Sequence, residues 1–137
     1  MRTIEDVKIK LAVLWLFVVI SLGALVIIIY MVPGTLEDIM AGEFLDMPLD
    51  EGTLLIMALT YFWIPLVMAV SSLILKDKVN RWANIGVGAF YVAFILLELI
   101  MNLTTIMVAY GVLMDVSVIV ASALIVWYAY KWLKKET

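Results

Sequence analysis

Residues 11–32 run for twenty-two positions without a charge, and residues 54–75 do the same. A helix of about 20 apolar residues matches the hydrocarbon thickness of a bilayer. A third uncharged stretch begins at Trp82 and continues to Tyr130, broken only by Glu98 and Asp115. That is too long for one crossing, so it is expected to hold two. Gly111, within "AYGVLMD", is the expected break, because glycine readily adopts the left-handed conformation that closes many helices. The pattern predicts an all-α integral membrane protein. Its single domain, residues 1–137, is expected to be an antiparallel bundle of four transmembrane helices at about 11–32, 54–75, 82–110 and 112–132.

Composition supports a chain whose solvent is partly lipid. Hydrophobic residues make up 66% of the 137 positions and charged residues only 15%, against about 25% in soluble domains. Cysteine and histidine are both absent. That excludes thiol nucleophiles, disulfides, histidine acid–base chemistry and the Cys/His sites of zinc, haem or iron–sulfur clusters. No cofactor is expected. The first apolar run exceeds the ~7–15 residues of a signal-peptide core and lacks a small-residue cleavage site, so it reads as a retained helix.

The charges predict an orientation. The nine basic residues are Arg2, Lys8, Lys10, Lys76, Lys78, Arg81, Lys131, Lys134 and Lys135. All fall on the N-terminal tail, between the second and third runs, or on the C-terminal tail. The opposite side holds Glu37, Asp38, Glu43, Asp46, Asp50, Glu51 and Asp115. Basic loops stay inside, so both termini are expected in the cytoplasm and the location is the cell membrane. Trp82, Trp127, Tyr128, Tyr130 and Trp132 fit an inner interfacial belt. Basic residues form no clustered face of the kind that nucleic acid requires.

Residues 33–53 form an acidic extracytoplasmic loop. Thr35 and Asp38 have capping-box spacing, and Gly42 is placed to close a short helix over 36–41. Ile39, Met40, Phe44, Leu45 and Met47 suit a segment lying on the membrane or capping the bundle. Its six carboxylates do not match the ligand spacing of an EF-hand, and no metal site is assigned there.

Glu98 is the one acid deep within an apolar run, in "AFILLELIMNLTTIM" (93–107), with Asn102 one turn later. An ionisable residue within a span is costly and marks a candidate site. No basic residue lies inside any span to pair with it. The options are a neutral, hydrogen-bonded carboxyl, an exogenous cation, or a water-filled crevice. Counting from the outer helix ends at about 1.5 Å per residue puts Ser21, Pro65, Glu98 and Ser122 at one depth near the bilayer middle. Pro65 has no N–H, which is expected to free the carbonyl of Tyr61. The candidate ion or ligand site is therefore Glu98, Asn102, Tyr61, Trp63, Ser21 and Ser122. Trp63 is expected inside the bundle, its indole N–H reaching a carboxyl or carbonyl. Tyr91, Phe94, Glu98, Asn102 and Thr105 share one helix face, and Gly86, Ala89 and Ala93 form a small-residue strip suited to close helix contact.

Four passages carry a resemblance: "KIKLAVLWLFV" (8–18), the Ile64-Pro65 step, "LILKDKVNRWANI" (73–85) and "IVWYAYKW" (125–132). Together they resemble a family of small four-helix prokaryotic membrane proteins, carried as a domain of unknown function. The resemblance implies a four-span bundle in a cell membrane and supplies no activity. Members often carry acids in the outer half of the first helix and before the Ile-Pro step. This chain has "GALVIII" and Trp63 at those places.

Two functions are expected from these features. The first is an oligomeric transporter or channel coupled to a small cation or proton through Glu98, working in the lipid bilayer as a homo-oligomer. The second is an accessory or structural membrane subunit in which Glu98 hydrogen-bonds between helices. An intramembrane enzyme would have to rest on Glu98 with Tyr61, Tyr91 or Asp115, and none is assigned.

Overall fold

The structure is a computed structural model. It describes residues 4–44, 46–105 and 109–136, with every side chain among them except those at 4, 5, 102, 104, 105 and 133–136. Arg2 and Leu45 lie outside the described residues, as do the side chains of Asn102, Thr105, Lys134 and Lys135.

The elements run α1 (Ile4–Tyr30), α2 (Thr35–Met40), β1 (Glu43–Phe44), β2 (Met47–Pro48), α3 (Glu51–Ala58), a π-helical turn (Leu59–Trp63), α4 (Ile64–Ile74), α5 (Asp77–Thr105) and α6 (Ala109–Glu136). Four helices are long and apolar enough to cross a membrane: Asp6–Tyr30, Glu51–Ile74, Asp77–Met101 and Ala109–Trp132. The second of these joins α3, the π turn and α4.

The break between the last two helices differs from the sequence expectation. α5 ends at Thr105 and α6 begins at Ala109, so Gly111 lies in the first turn of α6. Backbone N–H groups in a first turn have no intrahelical acceptor, so a glycine there interrupts little.

Each long helix turns a stripe inward. On α1 the buried residues Leu11, Trp15, Val18, Leu22 and Leu25 follow a four-three repeat, which is one face of a helix. On α6 the stripe is Asp115, Val118, Ala121, Ser122, Ile125, Ala129 and Trp132. Tyr91 and Ile95 of α5 and Met68 and Ala69 of α4 complete the core. Gly88, not the predicted strip, makes the close approach. A Cβ there would stand 2.9 Å from Val126 Cγ2 and 3.2 Å from Ile125 Cγ2. Gly86, Ala89 and Ala93 are exposed instead.

Contacts between helices are uneven. α1 packs along α4 and α6, and α5 packs along α6, whereas α4 and α5 hardly touch. α3 buries none of its residues, and its one extensive contact is with the π turn that follows it. A seam therefore runs between the second span and α5. Polar side chains bridge it.

The basic segments gather at one end of the molecule. Lys8 pairs with Asp77 at 3.3 Å, Lys10 lies over the Tyr128 ring at 5.4 Å, and Arg81 lies over Trp132 at 5.4 Å. At the other end, Gly34 at φ 93° caps α2, so Thr35 opens the helix from its first position and the predicted capping box is not formed. Gly42 at φ 89° ends it, as expected. β1 and β2 then pair antiparallel, and Phe44 is buried edge-on against Tyr30 with ring centroids 6.2 Å apart.

Candidate functional site

The site grows out of Pro65. A proline has no N–H, and its ring crowds the carbonyl four residues earlier. The chain accommodates this with a π turn, in which the Ile64 N–H reaches past Thr60 to the carbonyl of Leu59. With Ile64 committed to Leu59, and Pro65 having nothing to donate, the Thr60 carbonyl has no donor at either i+4 or i+5. The hydroxyl of Tyr91 donates to it from across the seam. The sequence reading placed the freed carbonyl at Tyr61. The carbonyl that Tyr91 satisfies is that of Thr60, one residue earlier, because the π turn draws the Ile64 N–H back to Leu59.

Tyr61 itself bridges the seam. Its hydroxyl donates to Glu98 Oε1 at 3.1 Å, and both side chains are half-buried. Tyr91, Phe94 and Glu98 do turn inward on one face of α5, with Tyr91 fully buried. Asn102 follows on the same helix, and its side chain lies outside the described residues.

Asp115 is the residue that the sequence reading misplaced. It was counted with the acids of the outer side, but it is 0% exposed within α6. It lies on α6, the helix that packs along α5. The misplacement follows from the helix break. With α6 starting at Ala109, Asp115 lies well inside the helix and not at its tip. A signal was available, since Asp115, Val118, Ser122 and Ile125 share three-four spacing and hence one face.

Two predicted members belong elsewhere, and a third, Ser21, makes no bond to the pair. Trp63 is 57% exposed and points away from the bundle, because the π turn directs Tyr61 at α5 and leaves Trp63 on the outside. Ser122 is fully buried, but its carbonyl faces Gly88, ten residues before Glu98 on α5. The separation is about 15 Å along the helix, so Ser122 lies outside the Glu98 layer. Ser21 is buried two residues from Gly23, which faces Phe62. Among the described residues, no hydrogen bond joins it to Tyr61 or Glu98.

Chemically, the cluster holds two carboxyls, two phenols and one diverted backbone carbonyl, with no basic side chain in its stretch of sequence. A carboxyl in an apolar surrounding is costly as a bare anion unless a hydrogen bond, a proton or a cation offsets its charge. The donor set is oxygen throughout, which suits hard cations and protons rather than soft metals. Among the described residues, no group of three or more His, Cys, Asp or Glu is arranged to hold a metal ion.

A second polar cluster, absent from the sequence reading, closes the basic end of the seam. Asn84 Oδ1 accepts from the Trp15 indole at 2.7 Å and from Ser72 Oγ at 3.2 Å. Asn84 Nδ2 donates to the Asn80 carbonyl at 2.9 Å and to Asn80 Oδ1 at 2.7 Å. Asn80 Nδ2 donates to the Ser72 carbonyl at 2.7 Å. All four side chains are fully buried. This network ties α1, α4 and α5 into one rigid end. The i, i+4 pair of asparagines beside the apolar run was its only mark in the sequence.

No family model, no curated protein and no solved structure matches the chain. The geometry of the two clusters therefore carries the functional argument.

Proposed function

We propose that this is a cell-membrane protein whose four helices cross antiparallel with both termini in the cytoplasm, and that it acts as an oligomeric transporter or channel for a small cation or proton. We group it with the small four-helix membrane proteins that it resembles. Glu98 is the exchanging group, Tyr61 its partner, and Asp115 a second carboxyl, buried on α6.

One observation supports this reading above the others: the Tyr61–Glu98 bridge crosses the seam, where the helices on either side hardly touch. A purely structural carboxyl is better placed in a tightly packed contact. The bridge also lies on the side of the seam toward α3, which has no buried residue. Four spans of this length hardly enclose a pathway alone, so the pathway is assigned to an assembly of copies.

The second reading, an accessory subunit with Glu98 as an interhelical strut, draws on the same Tyr61–Glu98 hydrogen bond. Infrared difference spectroscopy in lipid, with Glu98→Gln as control, separates the two. Transport requires that the Glu98 carboxyl band change with pH or added cation, and that flux into liposomes fall at least tenfold in Glu98→Gln. An unchanging band together with unaltered flux would leave only the strut.

A further inference from the structure

The π turn has a neighbouring register that uses the same residues. In an α-helical register the Ile64 N–H would return to the Thr60 carbonyl, and the orphaned acceptor, four residues before Pro65, would be Tyr61. In the observed register the Thr60 carbonyl has no helical donor, because Ile64 donates to Leu59 and Pro65 has no N–H. The registers differ in which carbonyl has a partner outside the helix. In the observed register that partner is the Tyr91 hydroxyl on Thr60.

We propose that Leu59–Trp63 is a two-register switch that opens and closes the Glu98 site. The two registers are discrete, because a hydrogen-bond ladder shifts by whole residues. α4 is anchored in either case by Pro65, Met68, Ala69 and Ser72, all buried, and by the Ser72–Asn80–Asn84–Trp15 network. α3 has no comparable anchor, since none of its residues is buried. Passing to the α register therefore turns α3 against a stationary α4, by one residue of phase or about 100°. The turn accumulates through the π segment and carries the Tyr61 hydroxyl off Glu98. Closed, the site has both tyrosine bridges. Open, it has neither, and Glu98 faces the space beside α3. Among the described residues, the titratable groups bonded at this point are Tyr61 from the second span and Tyr91 and Glu98 from α5, with Asp115 buried on α6. The consequence for ion access rests on the reading of Glu98 above, whereas the existence of two registers does not.

The chain has no cysteine, so a pair of spin labels tests the switch directly. Leu55→Cys on α3 and Val70→Cys on α4 are both exposed positions. Their separation is measured by pulsed electron resonance on the full chain in lipid nanodiscs. Pro65→Ala restores the missing N–H and is expected to move the distance by on the order of 5 Å. Tyr91→Phe keeps the ring, and with it the edge contact to Trp15 at 5.6 Å. It is expected to add a second population at the Pro65→Ala distance. A single, unmoved distance in Tyr91→Phe overturns the proposal, as does an unmoved distance in Pro65→Ala. A shift without Glu98-dependent flux would retain the switch and remove the transport reading. Flux without a shift would do the reverse.

Discussion

The Tyr61 hydroxyl donates to Glu98 Oε1 at 3.1 Å across two helices whose backbones scarcely meet, and 37 residues of chain separate the pair. In lipid, polar bridges of this kind replace the hydrophobic contact that would join the helices of a soluble bundle. The bridge is only half-buried, so it is also the part of the seam most open to exchange. Its energetic weight follows from that setting.

A double-mutant cycle of Tyr61→Phe and Glu98→Ala should give a coupling of about 0.5–1.5 kcal/mol, the range for interhelical hydrogen bonds in membranes. Unfolding in mixed micelles, followed for the parent, both single variants and the double, measures it. Strict additivity would mean that the bond contributes nothing to the fold.

The Asn84 amide should matter more. Asn84→Ala removes the acceptor of the Trp15 indole and leaves polar groups buried without partners, each costing about 1–3 kcal/mol. The expected loss is about 2–4 kcal/mol in the same unfolding assay. It should exceed the loss in Tyr61→Phe, because all members of this network are fully buried. Equal losses would mean that the network is wet or rearranged.

Two glycines on α5 offer a matched comparison. Gly88→Ala sets a methyl 2.9 Å from Val126 Cγ2, and overpacking of this kind costs about 1–3 kcal/mol. Gly86→Ala meets nothing within 4 Å and should stabilise α5 by about 0.5–1 kcal/mol through helix propensity. Thermal unfolding should therefore move in opposite directions for the two variants.

Asp50 caps α3. Its carboxylate accepts from the Thr53 N–H at 2.8 Å, and that bond holds its pKa below the ordinary 3.8. A group whose pKa is lowered on folding contributes stability above its unfolded value and loses it as pH falls through the folded one. The cap should therefore persist at neutral pH and fail only below about pH 4. The protection factor of the Thr53 amide, its exchange corrected for the intrinsic pH dependence, should fall across that acid range in the parent. In Asp50→Asn, which keeps a neutral acceptor, the acid-dependent change should be absent.

Much of the architecture was legible in the spacing of the charges. Uncharged runs of about 20 residues read as long apolar helices, and four such helices are present. Glu98 was legible for the same reason, as the one acid deep within a run. Asp115 was not. Its place depended on where α5 ends, and glycine, the usual stop signal, here sits in the first turn of the next helix. Trp63 was misread because its direction depends on the local helix type, and a π turn shifts the phase of its neighbours.

The sequence by itself determined the number of long helices, the grouping of the basic residues at one end of the molecule and the presence of an acid within a long apolar run. Each of these is a local property of residue type and spacing. Tertiary structure alone decided which polar groups meet. Only the packed bundle brings Tyr61 to Glu98, diverts the Thr60 carbonyl to Tyr91 and closes the Trp15–Asn84–Asn80–Ser72 network. Those contacts depend on the rotation of each helix about its axis. Apolar runs leave that rotation nearly free until neighbouring side chains lock it.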